Sequence, residues 1–166
     1  RHAFNVFRHA QRSSGSSAGT VRVAVTEGPG NFWILPRLID FHHPGHHVVA
    51  DAVYDMAGIG PRDIDILQVY DSFSCHVVFA LEGFGFCPEG GAGAFMRTAG
   101  IGPGGRLPIN TSGGHLSESY MQGWNHQVEC VRQLRGEAAL SVESCRHVQY
   151  VSDVVGKVFS IIYGVA

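Results

Sequence analysis

The chain is poor in charge. Lys, Arg, Asp and Glu make up 16% of its 166 residues, against roughly 25% in ordinary soluble domains. Its formal net charge of -2 gives no electrostatic reason to expect nucleic acid as a partner. No apolar run approaches the ~20 residues that span a bilayer; the longest, near the C-terminus, is broken by Asp153, Gly156 and Lys157. No C-x-x-C pair occurs among Cys75, Cys87, Cys130 and Cys145, so neither a zinc knuckle nor a redox dithiol is expected. With no secretory signal in sight, these four are expected to be reduced, buried thiols of a cytoplasmic protein. The glycosylation pattern Asn110-Thr111-Ser112 then carries no weight. Arg1 is not an initiator Met, and the chain reads as a fragment.

What the chain has is glycine, at 22 residues. Low charge with many glycines suggests a surface largely covered by something else. The most informative stretch is Asn110-Thr111-Ser112-Gly113-Gly114-His115-Leu116-Ser117-Glu118-Ser119-Tyr120-Met121-Gln122-Gly123. A polar, glycine-rich loop runs into a strongly periodic helix. Backbone N–H groups at such a junction favour negative charge, which is what holding an oxyanion needs.

The rest alternates strands and helices. Residues 1–20, with Arg12-Ser13-Ser14-Gly15-Ser16-Ser17, read as a linker, and 21–166 as one domain. Val21–Val25 alternates as a strand. A helix is expected from about His46 to Ala57, with Val49, Val53 and Met56 inward and Gly58 as its stop. Ile66–Tyr70 is a buried strand, and Asp71-Ser72 can cap a helix burying Phe73, Val77, Ala80, Leu81 and Phe84. Residues 87–109 are mostly loop, with a short helix near Ala94–Thr98. A long helix from Ser117 to Arg135 buries Tyr120, Trp124, Val128, Val131 and Leu134 and stops at Gly136. Strands at His147–Ser152 and Lys157–Tyr163 close the chain through a tight turn. This order argues for an α/β layered sheet with sites at strand ends.

At two such ends the chain resembles the thiolase superfamily. Gly113-Gly114, four residues, then Ser119-Tyr120-Met121-Gln122-Gly123 is similar to the signature G-G-x4-G-H-P-x-G. Val69-Tyr70-Asp71-Ser72-Phe73 looks like the V-H-D-C-F of sterol-carrier-protein-type thiolases, or the V-N-E-A-F of the degradative ones. Ala57-Gly58-Ile59, Asp63-Ile64-Asp65 and Leu134-Arg135-Gly136 match the flanking turns, so the resemblance covers roughly 21–163. It implies a thiolase-like C-terminal half: an α-β-α layered mixed sheet that lacks its N-terminal half, pairs with that half and usually dimerises.

Tyrosines stand at two of the family's site positions. The histidine of G-H-P falls on Tyr120, the histidine or asparagine of the strand-end motif on Tyr70, and the cysteine of H-D-C-F on Ser72. Tyr150-Val151-Ser152-Asp153-Val154-Val155-Gly156 holds no cysteine where degradative thiolases carry one. Thiolysis needs a thiolate and a second thiol or imidazole. A phenol, with an ordinary pKa of about 10, is instead a good donor to a developing enolate and can relay a hydroxyl proton. Those are the needs of retro-aldol cleavage of a β-hydroxyacyl-CoA.

This pattern is similar to the lipid-transfer-protein-type aldolases of steroid side-chain degradation. The resemblance implies Tyr120 and Tyr70 as the catalytic pair, and Asn110, Gly113, Gly114, His115 and Ser72 as substrate or oxyanion contacts. It implies an acyl-CoA substrate, no other cofactor, a homodimer and a small partner with an OB-fold and zinc ribbon. Two further readings stay open: an acyltransferase whose nucleophilic cysteine lies outside the chain, and a non-catalytic acyl-CoA or lipid carrier.

Plainer roles compete at several positions. Tyr120 can be core at a helix start, and Ser72 a simple cap. His42, His43, His46 and His47 cluster densely, but Pro44-Gly45 divides them and no acid or thiol adjoins, so no metal is expected. His76 and His126 read as structural or surface residues, Trp124 and Phe84 as core. Asn31-Phe32-Trp33 could line an acyl channel or simply pack.

Overall fold

The computed structural model describes residues 45–154 and 157–165. The expected linker, the strand at 21–25, Asn31-Phe32-Trp33, His42 and His43 lie outside them, as do the side chains of His46 and His47.

Helix α1 (Gly45–Ala57) places Val49, Ala50, Val53 and Tyr54 on the core. Gly58, in the left-handed region, ends it. Met56 falls off that stripe and is 89% exposed, against the expected inward position. The Tyr54 hydroxyl bonds the Phe84 carbonyl at 3.0 Å and Gln149 Oε1 at 2.9 Å, tying the helix to the sheet.

A 3₁₀ turn (Pro61–Asp63) leads into β1 (Ile66–Val69), whose four residues are all buried. Helix α2 (Cys75–Gly83) follows, then a short α3 (Ala92–Phe95) that runs into a π-helical turn (Met96–Gly100). Near the C-terminus, β2 (His147–Val154) and β3 (Lys157–Gly164) form an antiparallel hairpin. β1 joins β2 in parallel, with Val69 opposite Val151, so the order is β1-β2-β3 in a mixed sheet. On its other edge β1 receives Ile109 in a parallel bridge.

Alternation along the strands builds two cores. Leu67, Val69 and Val151 pack with Ala80, Leu81 and Phe84 on the α1–α2 side. Ile66, Tyr70, Val148 and Tyr150 pack with Cys130 on the opposite side. The result is the expected α-β-α layering. No helix among the described residues is long and apolar enough to cross a membrane.

The long helix expected at 117–135 is instead two. Helix α4 (Gly114–Ser117) is one turn, and α5 (Trp124–Arg135) starts seven residues after it ends. Gln122 (φ 51°) and Gly123 (φ 89°) are consecutive left-handed residues, which no right-handed helix can carry. So Ser117 ends a one-turn helix instead of starting a long one, and no helix dipole stands behind the anion site expected there.

Helix α5 also faces the other way from expectation. Asn125, His126, Glu129, Cys130 and Gln133 are buried, whereas Trp124 is 64% exposed and Val128 and Val131 also face outward. A buried polar network sets this orientation. Thr111 Oγ1 donates to Glu129 Oε1 at 2.6 Å and accepts from Gln68 Nε2 at 2.9 Å and Gln133 Nε2 at 3.0 Å. Gln133 also donates to the Leu140 carbonyl and accepts from the Val142 N–H. Buried polar groups are tolerated when every partner is present and costly when one is removed. Thr111→Val keeps the shape, strands Gln68 Nε2 and leaves Glu129 Oε1 with only its 2.9 Å bond from Gln133 Nε2. We expect the unfolding free energy to fall by about 1–3 kcal/mol in urea titrations, the cost of one stranded buried group. A change under about 0.5 kcal/mol would mean that the network does not orient α5.

Candidate active site

The site lies where β1 ends, as ligand sites do in layered α/β sheets. Tyr70 continues the strand by donating its N–H to the Val151 carbonyl at 2.9 Å. Its ring is buried, and its hydroxyl donates to the Tyr120 hydroxyl at 2.9 Å. Tyr120 sits in the turn between α4 and α5, not in a helix, and is 66% exposed. One phenol is therefore anchored and the other faces open space. Burial, then the hydrogen bond and the charge of Tyr120, pushes the Tyr70 phenol up to about 12. At neutral pH Tyr70 is a donor, and its bond leaves the Tyr120 proton free to point outward.

Gly123 makes this contact possible. A side chain there would strike the Tyr150 hydroxyl, and it would sit 3.1 Å from the Tyr70 ring. Gly114 has the same role as the first residue of α4, because a Cβ there would strike the Asp71 carboxylate.

The remaining expected residues divide. Asn110, in the left-handed region, clamps β1 with its side chain: Oδ1 accepts the Val69 N–H at 2.7 Å, and Nδ2 donates one hydrogen to the Val69 carbonyl at 3.1 Å. It pins the loop to the strand and keeps one amide hydrogen to donate. Gly113 gives its N–H to the Asn110 carbonyl at 2.7 Å, which closes the loop. Ser72 is exposed and caps nothing, since α2 begins at Cys75 behind Ser74. Phe73, expected in the core, is exposed, whereas Phe84 is buried as expected.

His115 lies inside the site. Its ring meets Tyr70 edge-on at 4.5 Å and lies 5.3 Å from Tyr120 and 4.8 Å from His126, between centroids. Its backbone N–H donates to Asp71 Oδ1 at 3.1 Å. Two residues that sequence patterns assign elsewhere join it. Asp71 is no helix cap: it turns to the α4–α5 side, with Oδ1 3.2 Å from His126 Nε2. His126 is fully buried and stacked on Tyr150, and its Nδ1 lies 3.3 Å from Gln68 Oε1.

Burial pulls the His126 imidazole down to about 4, with the Asp71 carboxylate opposing and His115 reinforcing the fall. The unfolded chain takes up a proton near pH 6.5 that the folded chain refuses until about pH 4. Stability is therefore complete above pH 6.5 and is lost on acidification through that window, by at most about 3 kcal/mol. Asp71, His115 and Glu118 are the titratable groups that face the ring. Unfolding free energies measured at pH 7 and pH 4.5 should differ in this sense, and His126→Gln should flatten the slope. An unchanged slope in that variant would assign the acid sensitivity to other groups.

Burial also raises all four thiols, Cys87 and Cys145 to about 11. None is a ready nucleophile at neutral pH.

Residues 37–161 match the family described as thiolase C-terminal domain-like. The chain belongs to that family. It is 40% identical over 105 residues to the 17-hydroxy-3-oxo-4-pregnene-20-carboxyl-CoA lyase of Mycobacterium tuberculosis, covering 63% of this chain and 27% of that one. It is 41% identical over 93 residues to the steroid side-chain-cleaving aldolase of Thermomonospora curvata, covering 56% and 24%. Rat (Rattus norvegicus) sterol carrier protein 2 is 38% identical over 88 residues, covering 51% and 16%. Among solved structures, the Ltp2-ChsH2(DUF35) aldolase superposes with a TM-score of 0.68 at 35% identity, over 73% of this chain and 32% of that one. The chain thus spans about a quarter of the length of the first two relatives. The thiolase-like C-terminal domain expected from the strand end at Tyr70 and the 113–123 loop is the family found, and the similar proteins carry lyase, aldolase and sterol-carrier names.

Proposed function

We propose that the complete protein cleaves a carbon–carbon bond of a β-hydroxyacyl-CoA by retro-aldol chemistry, with a steroid side chain as the substrate class. The contact between the Tyr70 and Tyr120 hydroxyls, 2.9 Å apart at the end of β1, carries this reading. The names of the two steroid-cleaving relatives support it.

In the cleavage the β-hydroxyl loses its proton and its O–H electron pair becomes the C=O of a ketone or aldehyde. The Cα–Cβ pair moves onto the thioester as an enolate, and the enolate carbon regains a proton. No covalent acyl-enzyme forms and no free CoA is consumed. Tyr120, open to an arriving substrate, exchanges the proton. Tyr70, held as a donor behind it, stabilises negative charge on the Tyr120 oxygen as the proton moves. His115 lines the same space, and Asn110, Gly113 and Gly114 fix the loop that carries it.

The proposal includes a homodimer and a small OB-fold, zinc-ribbon partner. The solved neighbour is itself named as Ltp2 joined with ChsH2(DUF35). Leu116, Met121, Trp124, Val128 and Val131 are exposed apolar residues on α4, α5 and the turn between them. Such a face suits coverage by the rest of the protein.

The test is a panel of β-hydroxyacyl-CoA esters with the complete protein, followed by mass spectrometry. A ketone or aldehyde plus a shortened acyl-CoA, formed without free CoA, supports the lyase. Shortening only when CoA is added means thiolysis. Binding without turnover means a carrier.

A further inference from the structure

Among the described residues, one group of three metal-ligating side chains converges: Asp71, His115 and His126, with ligand atoms within 4.8 Å of one another. They come from the turn after β1, from α4 and from α5. We propose that they form a binding site for a first-row divalent cation, with zinc the best fit. No ligand spacing announces the site in the sequence, because the fold alone brings the three together.

The donor set fits. Two imidazoles and one carboxylate match the three protein ligands of open zinc sites, which leave a position for water or substrate. Donors about 2.0–2.2 Å from a tetrahedral ion lie about 3.3–3.5 Å apart. Asp71 Oδ1 is 3.2 Å from His126 Nε2 and 4.0 Å from His115 Nε2. The first spacing is close to that of a bound pair. The second asks His115 to close by several tenths of an ångström, and no ring hydrogen bond tethers it.

Two further observations point to a ligand. The His115 side chain is only 7% exposed, yet neither of its ring nitrogens has a hydrogen-bond partner. His126 Nε2 is buried, and its alignment with Asp71 falls short of a hydrogen bond. Buried polar atoms left this way are costly unless something completes them. At the other end of the His126 ring, Nδ1 lies 3.3 Å from Gln68 Oε1. Gln68 in turn donates its Nε2 to Thr111, so the facing atom is an acceptor. With a cation on Nε2, Nδ1 keeps the proton and donates it to this acceptor. Metal-bound histidines are held in this manner by a partner on the second nitrogen.

Binding does not rest on the lyase reading, although a catalytic use would. An ion here would set a Lewis acid beside the two phenols, where an enolate oxygen gains charge.

The test uses the complete protein in its purified assembly, stripped of metal and titrated with zinc by calorimetry and with cobalt(II) by visible absorption. Wild type is compared with Asp71→Asn and His126→Gln, so that zinc held elsewhere in the assembly cancels. His76→Gln serves as a control outside the site. We expect wild type and the control to bind one ion per chain that both site variants bind at least 10-fold more weakly. Should either variant fail to fold, His115→Gln at the less buried ligand takes its place. Equal uptake by wild type and the folded variants, or no uptake by wild type, overturns the site. Product formation is read separately. Ion uptake without ketone release leaves the site and removes the lyase, whereas ketone release by protein that binds no ion does the reverse.

Discussion

Tyr120→Phe should lower kcat/KM of the complete enzyme at least 10²-fold while lowering its unfolding free energy by only about 1–3 kcal/mol. The hydroxyl stands at the surface of the site, 66% of its residue exposed, with one hydrogen bond to Tyr70. Removing it leaves the Tyr70 hydroxyl as the one buried group without its partner. The effect should therefore appear far more in the chemistry than in the fold. Tyr70→Phe should cost a similar factor in rate. It also removes the donor that holds the Tyr120 oxygen, so the pH dependence of the remaining activity should shift as well. Assays of kcat and KM across pH check both. A loss under threefold in either variant would remove that phenol from the mechanism.

Gly123→Ala should abolish measurable turnover and destabilise the fold. The residue sits at φ 89°, where an L side chain is strained, and its added carbon would strike the Tyr150 hydroxyl. The same carbon would lie 3.1 Å from the Tyr70 ring. Relief requires moving either the backbone of the α4–α5 turn or both tyrosines. Either movement separates the phenols of residues 70 and 120. We expect a stability loss of about 2–4 kcal/mol, in the range of backbone strain plus overpacking. The rate should fall at least 10²-fold, since an oriented pair tolerates little displacement. Gly136→Ala provides the comparison. It is also left-handed, but open space surrounds it, so only the backbone strain should register. Equal effects at the two glycines would show that contact with the tyrosines contributes nothing.

The parts of this fold that the sequence announces are those governed by local rules. Ile66–Tyr70 reads as a buried strand because the run is short, apolar and bounded by a turn on each side. Gly58 and Gly136 read as helix stops because glycine accepts a positive φ. The strand end and the glycine loop identify the site because residues 70 and 120 meet there. The departures share one cause, which is that tertiary contacts override periodicity. Tyr120 and Trp124 satisfy a helical spacing through residue 123, but Tyr70 and Tyr150 need room there and force a break. Val128 and Val131 form an apolar stripe on α5, yet Asn125, His126, Glu129 and Gln133 form an equally regular polar one. The polar stripe turns inward because Gln68 and Thr111 complete it. Two polar side chains far away in the chain decide this, and no window of the helix contains them. The role of His126 is hidden for the same reason. Asp71, one residue past the strand, has the local pattern of a helix cap, and only the fold places His115 and His126 beside it.

The most direct measurement is cleavage of a β-hydroxyacyl-CoA in D₂O without free CoA, with both products weighed by mass spectrometry. The account predicts a ketone or aldehyde and a thioester carrying one deuterium on its α-carbon, with neither formed by the Tyr120→Phe protein at a comparable rate. Intact substrate that yields two thioesters only after CoA is added would contradict it.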